Sequence, residues 1–320
     1  MTNKTITLKD IARIAGISVN SVSRALRDCS DISYDTKKKV KDIADSLGYI
    51  PDNTASNLRK GKTNLIAIVF NCFFNPFFQV LNSKVISYIK TLNYKCQLIF
   101  CDTSSMEMKH LEHILTNKFS GIISFVEPTL EVSEFFHKRN IPFVLIGIHS
   151  TLPYIDCIYT DDVKGGKLVG DFYNKSEFTN ALYVTDSFSE TSYRRYIGFL
   201  ETCQNKKSDL IVFNTGENII NKTYQKIISE SIDFLFCFSD YLAIRIKNYL
   251  LEKNYKKKIK IIGYDNIHKY HPAFAHIDSI GTDYDYITTF ACDYIVDKCL
   301  EKIDINSYIN KKIDVKLYTK

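Results

Sequence analysis

The sequence predicts an α/β protein with an N-terminal three-helix domain, a hinge, and a larger domain of two parallel sheets flanked by helices. Two patterns carry this prediction. Up to Gly48 the apolar residues recur at helical spacing. From residue 64 onward, continuous apolar runs alternate with amphipathic stretches, which is typical of parallel strands covered on both faces. We therefore expect domains at 1–50, here called the head, and at 63–320, joined by a hinge at 51–62.

Three short helices are expected in the head because each has its own start signal. Thr7 can cap the first helix, with Asp10 three positions later as in a capping box. Gly16 can end that helix, since glycine tolerates positive φ. Ser18 and Ser33 can cap the second and third helices. Three caps at helical spacing predict a small helical domain.

The hinge and the larger domain are distinguished by apolar content. Residues 52–62, after Pro51, hold too few apolar side chains to form a core. Candidate strands follow at Leu65–Phe70, Cys96–Phe100, Gly121–Val126, Phe143–Ile146, Leu182–Thr185, Leu210–Phe213, Phe234–Phe238 and Ile259–Tyr264. Amphipathic stretches between them predict helices, for example Phe77–Leu92, Met106–Lys118 and Asp240–Lys253. Ligands bind beyond the carboxyl ends of such strands, so we expect a cleft site between two lobes.

The positive charge of the chain is concentrated near its N-terminus. Residues 1–62 hold 12 Lys and Arg against 7 Asp and Glu, a net charge of +5, whereas the rest holds 30 against 29. Four of the eight arginines also lie in this segment. A codon bias toward lysine would explain some of the lysines but not the arginines. A basic module on a near-neutral body indicates a polyanionic partner at one end of the molecule.

The composition argues against several classes of protein. Nine scattered cysteines without CxxC spacing or a Cys/His cluster indicate reduced thiols in the cytoplasm, not disulfides or a zinc site. We find no export signal and no apolar run of membrane-spanning length. We also find no nucleophile elbow, P-loop, dinucleotide fingerprint or metal-ligand spacing. We therefore predict no enzymatic activity, no cofactor, no metal and no membrane contact.

The second helix has the features of a helix that reads DNA. A major groove admits one α-helix, which must expose short polar and Arg side chains and pack its other face on a support. Asn20 and Arg24 lie one turn apart on the same face, whereas Val22 and Ala25 can pack inward. Asparagine suits bidentate contact with adenine, and arginine with guanine. The pattern therefore favours sequence-specific binding of double-stranded DNA.

Residues 7–64 closely resemble the LacI/GalR family of repressors. The family pattern matches here at Thr7-Leu8-Lys9-Asp10-Ile11-Ala12, Ala15-Gly16-Ile17-Ser18, Val22-Ser23-Arg24-Ala25-Leu26 and Gly48-Tyr49-Ile50-Pro51. Ser21 replaces the usual Thr and keeps its hydroxyl, whereas Asp52 replaces the usual Asn and weakens a phosphate contact. A basic three-helix segment also occurs as a small structural or protein-binding domain, but a match that runs through the hinge favours the DNA-binding interpretation.

The resemblance implies which residues contact DNA. In the family, the positions of Val19, Asn20 and Arg24 read bases. The hinge forms a short helix in the minor groove, and the residue matching Leu58 inserts between base pairs. The full predicted set is Leu8, Lys9, Ser18, Val19, Asn20, Ser21, Ser23, Arg24, Arg27, Thr36, Tyr49, Ala55, Leu58 and Arg59.

The larger domain resembles the same family more loosely, with a core similar to periplasmic sugar-binding proteins. The matching motifs are Asn75-Pro76-Phe77-Phe78, Asp161-Asp162, Arg195-x-x-Gly198-Phe199, Ser239-Asp240 and Gly263-Tyr264-Asp265-Asn266. The implied N-lobe is about 63–160 and 284–312, and the implied C-lobe about 161–283 and 313–320. The positions that would bind an effector are Phe77, Phe78, Ile148, Thr191, Arg195, Asp240 and Asp265.

The predicted effector residues suit a small, partly apolar molecule. Aromatic rings can stack on a sugar or purine face, and the charged pair Arg195 and Asp265 can orient hydroxyls or a carboxylate. Each residue also has a plainer interpretation: Phe77 and Phe78 as core at a helix start, Arg195 as a surface ion pair, and Asp265 as a cap of the next turn.

Two departures from the family bear on the effector. Gly147-Ile148 stands where many members have Asp-Arg, and Ser239 stands where Asn is usual. Both changes remove polar groups that commonly hold sugar hydroxyls. We therefore expect a sugar-like or other small metabolite that is less hydroxylated than a hexose, or a weakly sensing domain.

Together these patterns predict a cytoplasmic, sequence-specific transcription regulator, by resemblance a repressor, whose operator affinity a small molecule modulates. No Leu-rich heptad tail follows the closing strand, so we expect a homodimer on a pseudo-palindromic operator. A transport-type solute-binding protein is the alternative for residues 64–320, but it requires an export signal and no basic head. The sequence leaves open the operator, the effector, the sign of its action, and a phosphoprotein corepressor in its place.

Overall fold

The computed structural model describes residues 6–49, 63–186, 189–203, 208–213, 218–272 and 277–319. The chain forms two compact units, residues 1–62 and 63–320. The predicted hinge, with its predicted DNA contacts Ala55, Leu58 and Arg59, lies outside the described residues.

The head consists of α1 (Leu8–Ala15), α2 (Val19–Leu26) and α3 (Tyr34–Ser46). The predicted caps are confirmed. The Thr7 N–H donates to Asp10 Oδ2 at 3.0 Å, and Gly16 ends α1 at φ +72°. Ser18 Oγ accepts the Ser21 N–H at 3.0 Å, and Ser33 caps α3 in the same way. The three helices enclose a small core that includes Ile11, Val22, Ala25 and Val40.

The N-lobe is built on a six-stranded parallel sheet with strands β1 (Leu65–Phe70), β2 (Lys95–Phe100), β4 (Gly121–Ser124), β6 (Phe143–Ile146), β7 (Asp156–Thr160) and β13 (Asn310–Ile313). The spatial order of these strands is β13-β7-β6-β4-β1-β2. A two-residue pair, β3 (Ser105–Met106) with β5 (Glu127–Pro128), lies apart from it. The accompanying helices are α4 (Pro76–Thr91), α5 (Leu111–Thr116), α6 (Leu130–Lys138) and α11 (Tyr284–Cys299).

The C-lobe is built on a second sheet with strands β8 (Ala181–Thr185), β9 (Ser208–Phe213), β10 (Phe234–Cys237), β11 (Lys260–Tyr264), β12 (Asp278–Gly281) and β14 (Lys316–Tyr318). The spatial order of these strands is β14-β12-β11-β10-β8-β9. All of its pairings are parallel except that of β14 with β12. The helices are α7 (Asp162–Lys175), α8 (Glu190–Thr202), α9 (Ile219–Ser229) and α10 (Asp240–Glu252).

The predicted fold class is confirmed, and each of the eight predicted apolar runs contains a strand. The prediction of one helix over Met106–Lys118 is wrong. Met106 ends a short strand, and a 3₁₀ turn at Met108–His110 precedes the short α5. The physical reason is a local cap, since the Glu107 N–H donates to Nδ1 of His110 at 3.0 Å and so restarts the helix inside the predicted stretch.

Three short connections join the lobes. Asp161 lies between β7 and α7, residues 282–283 between β12 and α11, and residues 314–315 between β13 and β14. They lie side by side: the Asp161 N–H donates to Ile313 O at 2.8 Å, and Gly281 pairs with Lys316. Ion pairs brace them, Lys312 with Asp161 at 2.8 Å and Lys164 with Asp314 at 2.5 Å.

Two glycines let α7 and α8 approach within backbone contact. A Cβ at Gly166 would lie 2.1 Å from Arg195 O, and a Cβ at Gly198 would lie 2.0 Å from Val163 O. Real side chains cannot occupy those distances, so the crossing requires glycine. This close approach brings the first residue of α7, Asp162, beside Arg195 of α8.

Among the described residues, no helix combines the length and the apolar character that crossing a lipid bilayer requires.

Candidate functional site

The outward face of α2 presents the residues that the sequence predicts to read bases. Val19 and Asn20 are exposed, and Arg27 is exposed at the helix end. Val22 and Ala25, on the opposite face, are fully buried. A helix with a small apolar back and a polar, cationic front meets the steric requirement of a major groove.

Arg24 is held by an ion pair with Asp31, which lies in the loop between α2 and α3. Both side chains remain nearly half exposed. Exposed ion pairs contribute about 0–1 kcal/mol, so a guanine edge can compete for this guanidinium. Asp31 thus orients Arg24 without sequestering it.

The remaining predicted DNA contacts in the head are of three kinds. The hydroxyls of Ser18 and Thr36 already take part in the caps of α2 and α3, where they bond to Ser21 and Ser33. Leu8 and Tyr49 are half-buried against the head core. Lys9 is exposed, and Ser23 is half-buried with its carbonyl accepting Arg27 Nε–H at 3.1 Å. Their contact with DNA stays a prediction.

A cavity of about 290 Å³ lies between the two lobes of the larger domain. Six of the seven predicted effector residues line it: Phe77, Phe78, Ile148, Thr191, Arg195 and Asp265. Other residues that also line the cavity were not predicted from the sequence, among them Asn71, Ser104, Phe125, Tyr159, Thr160, Phe238, Tyr284 and Ile287. They lie at the end of a strand, in the loop that follows a strand, or in the first turn of α11. Only knowledge of which strand ends face the cleft could have identified them.

Arg195 forms part of the C-lobe wall and is buried there. It is 5% exposed, so its interpretation as a surface ion pair is wrong. Its Nε–H donates to Asp162 Oδ1 at 2.9 Å, and Nη1 donates to Phe238 O at 2.5 Å. Its guanidinium also lies 3.4 Å from the ring centre of Tyr264. Asp162 belongs to the Asp161-Asp162 motif, and the sequence alone predicts no role for it.

Asp265 projects from a strained turn at the end of β11. Its φ is +101°, which is rare for any residue but glycine, and such strain clusters at functional sites. Its carboxylate lies 3.6 Å from Arg195 Nη1, outside hydrogen-bond distance. Burial raises the pKa of Asp265 to about 7, against the opposing effect of Arg195. The cleft therefore holds a carboxyl group that changes charge near neutral pH.

Asp240, the seventh predicted effector residue, is not among the cavity's lining residues. It is fully buried, and its oxygens accept from Ser279 Oγ at 2.6 Å and from the Ile267 N–H at 2.8 Å. Ser279 Oγ in turn accepts the Asn266 N–H at 2.9 Å. Asp240 thus fixes the turn that carries Asp265, which makes it a positioning residue in this structure.

The N-lobe wall of the cavity is aromatic. Phe125, Phe78, Phe77 and Tyr284 form a continuous chain of edge-to-face contacts with ring centres 5.3 to 5.9 Å apart. Phe77 and Phe78 also pack on the N-lobe core, so their interpretation as core and as cavity lining both hold. The half-buried Ile148, at the departure Gly147-Ile148, adds no polar group to this wall.

Comparisons with known proteins agree with this geometry. The family model described as bacterial regulatory proteins, lacI family, matches residues 7–52. The chain is 28% identical over 310 residues to the sucrose operon repressor of Lactococcus lactis subsp. lactis, covering 93% of this chain and 94% of that protein. It is 26% identical over 279 residues to the transcriptional repressor PurR of Actinobacillus pleuropneumoniae, covering 82% of each.

The fold also matches solved structures over almost its whole length. A crystal structure of the lac repressor dimer bound to operator and the anti-inducer ONPF superposes with a TM-score of 0.80. That match covers 99% of this chain and 98% of the other at 17% identity, so it establishes the shared fold.

Proposed function

We propose that this protein, whose residues 7–52 form a DNA-binding domain of the lacI family of bacterial regulatory proteins, is a sequence-specific transcription regulator. In this proposal a homodimer binds a pseudo-palindromic operator in the cytoplasm and represses transcription, and a small molecule in the cleft modulates operator affinity. The single observation that carries the proposal is the α2 face, where Asn20 and Arg24 stand outward on a buried apolar support.

DNA reading by this face rests on geometry and charge. Asn20 can bond both N6 and N7 of adenine, and Arg24 can bond O6 and N7 of guanine. The net charge of +5 over residues 1–62 favours the phosphate backbone, which supplies affinity without specificity. The predicted hinge contacts Ala55, Leu58 and Arg59 would add minor-groove contacts at the centre of the operator.

Selection of binding sites from a random double-stranded DNA library tests the proposal. We expect the full-length protein to enrich a palindrome with two half-sites, because a twofold dimer presents two α2 helices. Fluorescence anisotropy should then show affinity for the selected site about a thousandfold or more above that for scrambled DNA. Binding that is weak, uniform across sequences and purely salt-dependent would contradict sequence-specific regulation.

The cleft can influence DNA binding because its two walls belong to different lobes. Arg195 and Asp265 come from the C-lobe, whereas Phe77 and Phe78 come from the N-lobe. A molecule that contacts both walls favours one lobe arrangement, and any difference in operator affinity between arrangements becomes a coupling free energy. Effector titration into the protein–operator complex measures the sign of this coupling.

An apolar patch on the N-lobe is the surface we propose for dimer formation. Leu98 and Phe100 lie on β2, the edge strand of the N-lobe sheet, and are 47% and 45% exposed. Phe73, also exposed, stacks on Phe100 with ring centres 4.5 Å apart. Contiguous exposed apolar side chains indicate an interaction surface. A second copy of this chain suits it, since a twofold operator requires two heads.

We expect Leu98→Glu to dissociate the dimer, because it places a charge in an apolar interface without a counter-ion. Sedimentation velocity at micromolar concentration should show a dimer for the natural protein and a monomer for the variant. Leu130→Glu is the matched control, since Leu130, at the start of α6, is 49% exposed against 47% for Leu98. Equal dimer content in the two variants would place the interface elsewhere.

A further inference from the structure

We propose that the molecule that fills the cleft is an organic ammonium ion with an apolar body. This inference deepens the proposed function by naming the class of its effector. It rests on two features of the cavity walls: an excess of buried carboxylates on the C-lobe side, and a continuous aromatic surface on the N-lobe side.

At the C-lobe wall two carboxyl groups share one cation. Among the described lining residues, Arg195 is the cation and Asp265 is the carboxyl group. Arg195 already has a counter-ion, because Asp162 accepts its Nε–H at 2.9 Å. Asp265 lies 3.6 Å from Nη1 of the same guanidinium. Arg195 therefore balances only one of the two carboxylates of Asp162 and Asp265, and a positively charged ligand would balance the other.

The N-lobe wall is suited to the same ligand. Phe125, Phe78, Phe77 and Tyr284 present a chain of rings to the cavity. The negative face of each ring attracts a cation, and clustered rings are a known means of binding substituted ammonium groups. Tyr284 lies near Asp265: burial raises the pKa of Tyr284, and the Asp265 charge raises it further. Rings and carboxylate thus converge on one space.

Other ligand classes fit the cavity less well. An anion would have to compete with Asp162 and Asp265 for Arg195, the one cation among the described lining residues. A hexose would leave several hydroxyls against the apolar side chains of Leu81, Ile146, Ile148 and Ile287. The cavity volume of about 290 Å³ suits a small ligand.

Choline and its isostere 3,3-dimethylbutan-1-ol have nearly the same shape, but only choline is charged. A comparison of the two therefore isolates the contribution of the charge to binding. We expect isothermal titration calorimetry on the full-length protein at pH 8 to show choline binding about tenfold or more tightly than the isostere. Asp265→Asn should abolish this preference, whereas Asp171→Asn, at an exposed site on α7, should keep it. Phe77→Leu should weaken choline binding by about fivefold or more, since it removes a ring face while keeping an apolar side chain.

The dependence of choline binding on pH is an independent readout. Choline keeps its charge at every pH, so any titration belongs to the protein. The groups facing Asp265 are Arg195, Asp162, Asp186, Asp240, Tyr264 and Tyr284. Protonation of Asp265 below its pKa of about 7 removes the charge that choline needs, so affinity should fall about tenfold from pH 8 to pH 6. Asp265→Asn should flatten this profile.

The outcomes separate this inference from the proposed function. Choline that binds no more tightly than the isostere, or binds less tightly than ribose, overturns the ammonium assignment, and so does absence of choline binding. None of these results affects enrichment of a palindromic operator, which tests DNA recognition alone. Thermal melting of Asp265→Asn verifies that a loss of binding does not reflect unfolding.

Discussion

Replacing Arg24 with alanine should remove discrimination at one base pair in each operator half-site. A bidentate arginine–guanine contact contributes about 1–3 kcal/mol of discrimination, so the loss over two half-sites is about 2–6 kcal/mol. The Arg24–Asp31 ion pair restrains the Arg24 side chain in the free protein. Its loss in the variant therefore restores none of the lost base discrimination. Site selection followed by anisotropy on the natural operator and on single-base variants measures the effect.

Two variants control for the charge that Arg24→Ala removes. Arg13→Ala deletes an arginine from an exposed position on α1 that is not predicted to read bases. It should weaken binding to all sequences alike and reduce the salt dependence. Arg24→Lys keeps the charge but loses the planar fork that matches guanine, so it should behave like Arg24→Ala in specificity. An unchanged motif for Arg24→Ala would mean that Arg24 contacts only the backbone.

Replacing Lys298 with methionine should cost about 3–5 kcal/mol of unfolding free energy, the range found when one partner of a buried ion pair is removed. Lys298 and Asp156 are both 1% exposed, and Lys298 Nζ lies 2.5 Å from Asp156 Oδ2. Asp156 Oδ1 also accepts from Tyr294 OH at 3.0 Å and from the Ile309 N–H at 2.9 Å. The pair joins β7 to α11 within the N-lobe, and chemical denaturation monitored by tyrosine fluorescence measures its loss.

The pH dependence of this deficit has a defined sign. Burial raises the pKa of Asp156, and Lys298 opposes that rise. Without Lys298 the folded protein must protonate Asp156, which costs more free energy as the pH exceeds the pKa of the unfolded chain. We therefore expect the Lys298→Met deficit to shrink between pH 8 and pH 5. Asp156→Asn added to Lys298→Met should recover part of the stability, whereas Lys258→Met, in an exposed pair, should change little.

The helices of the head were predictable from the sequence because short-range signals mark where they start and stop. Thr7, Ser18 and Ser33 are short-range start signals, and Gly16 is a short-range stop, so each acts within one turn of its helix. The parallel strands of the larger domain were predictable for a similar reason, because each is a continuous apolar run. The strand β7, with sequence Asp-Cys-Ile-Tyr-Thr, escaped this criterion because it begins with the buried Asp156.

The cleft was only partly predictable because its chemistry depends on long-range contacts. The resemblance placed Phe77, Arg195 and Asp265 at the cavity, but it gave no reason to expect Tyr284 beside them. Nothing local to Arg195 indicates that Asp162, 33 residues earlier, occupies its Nε–H. Asp240 was assigned to the effector although it holds a turn, because a motif records which residue is present and not which way its side chain points.

The three braced connections between the lobes determine what kind of signal this molecule can carry. Connections of one or two residues that lie in a row permit bending about the line that joins them and resist twisting across it. The relative motion of the two lobes is therefore described by one variable, the opening angle of the cleft. Ligands of different shape then all act through this one opening angle. A ligand that strengthens operator binding and one that weakens it can differ only in the angle that each stabilises.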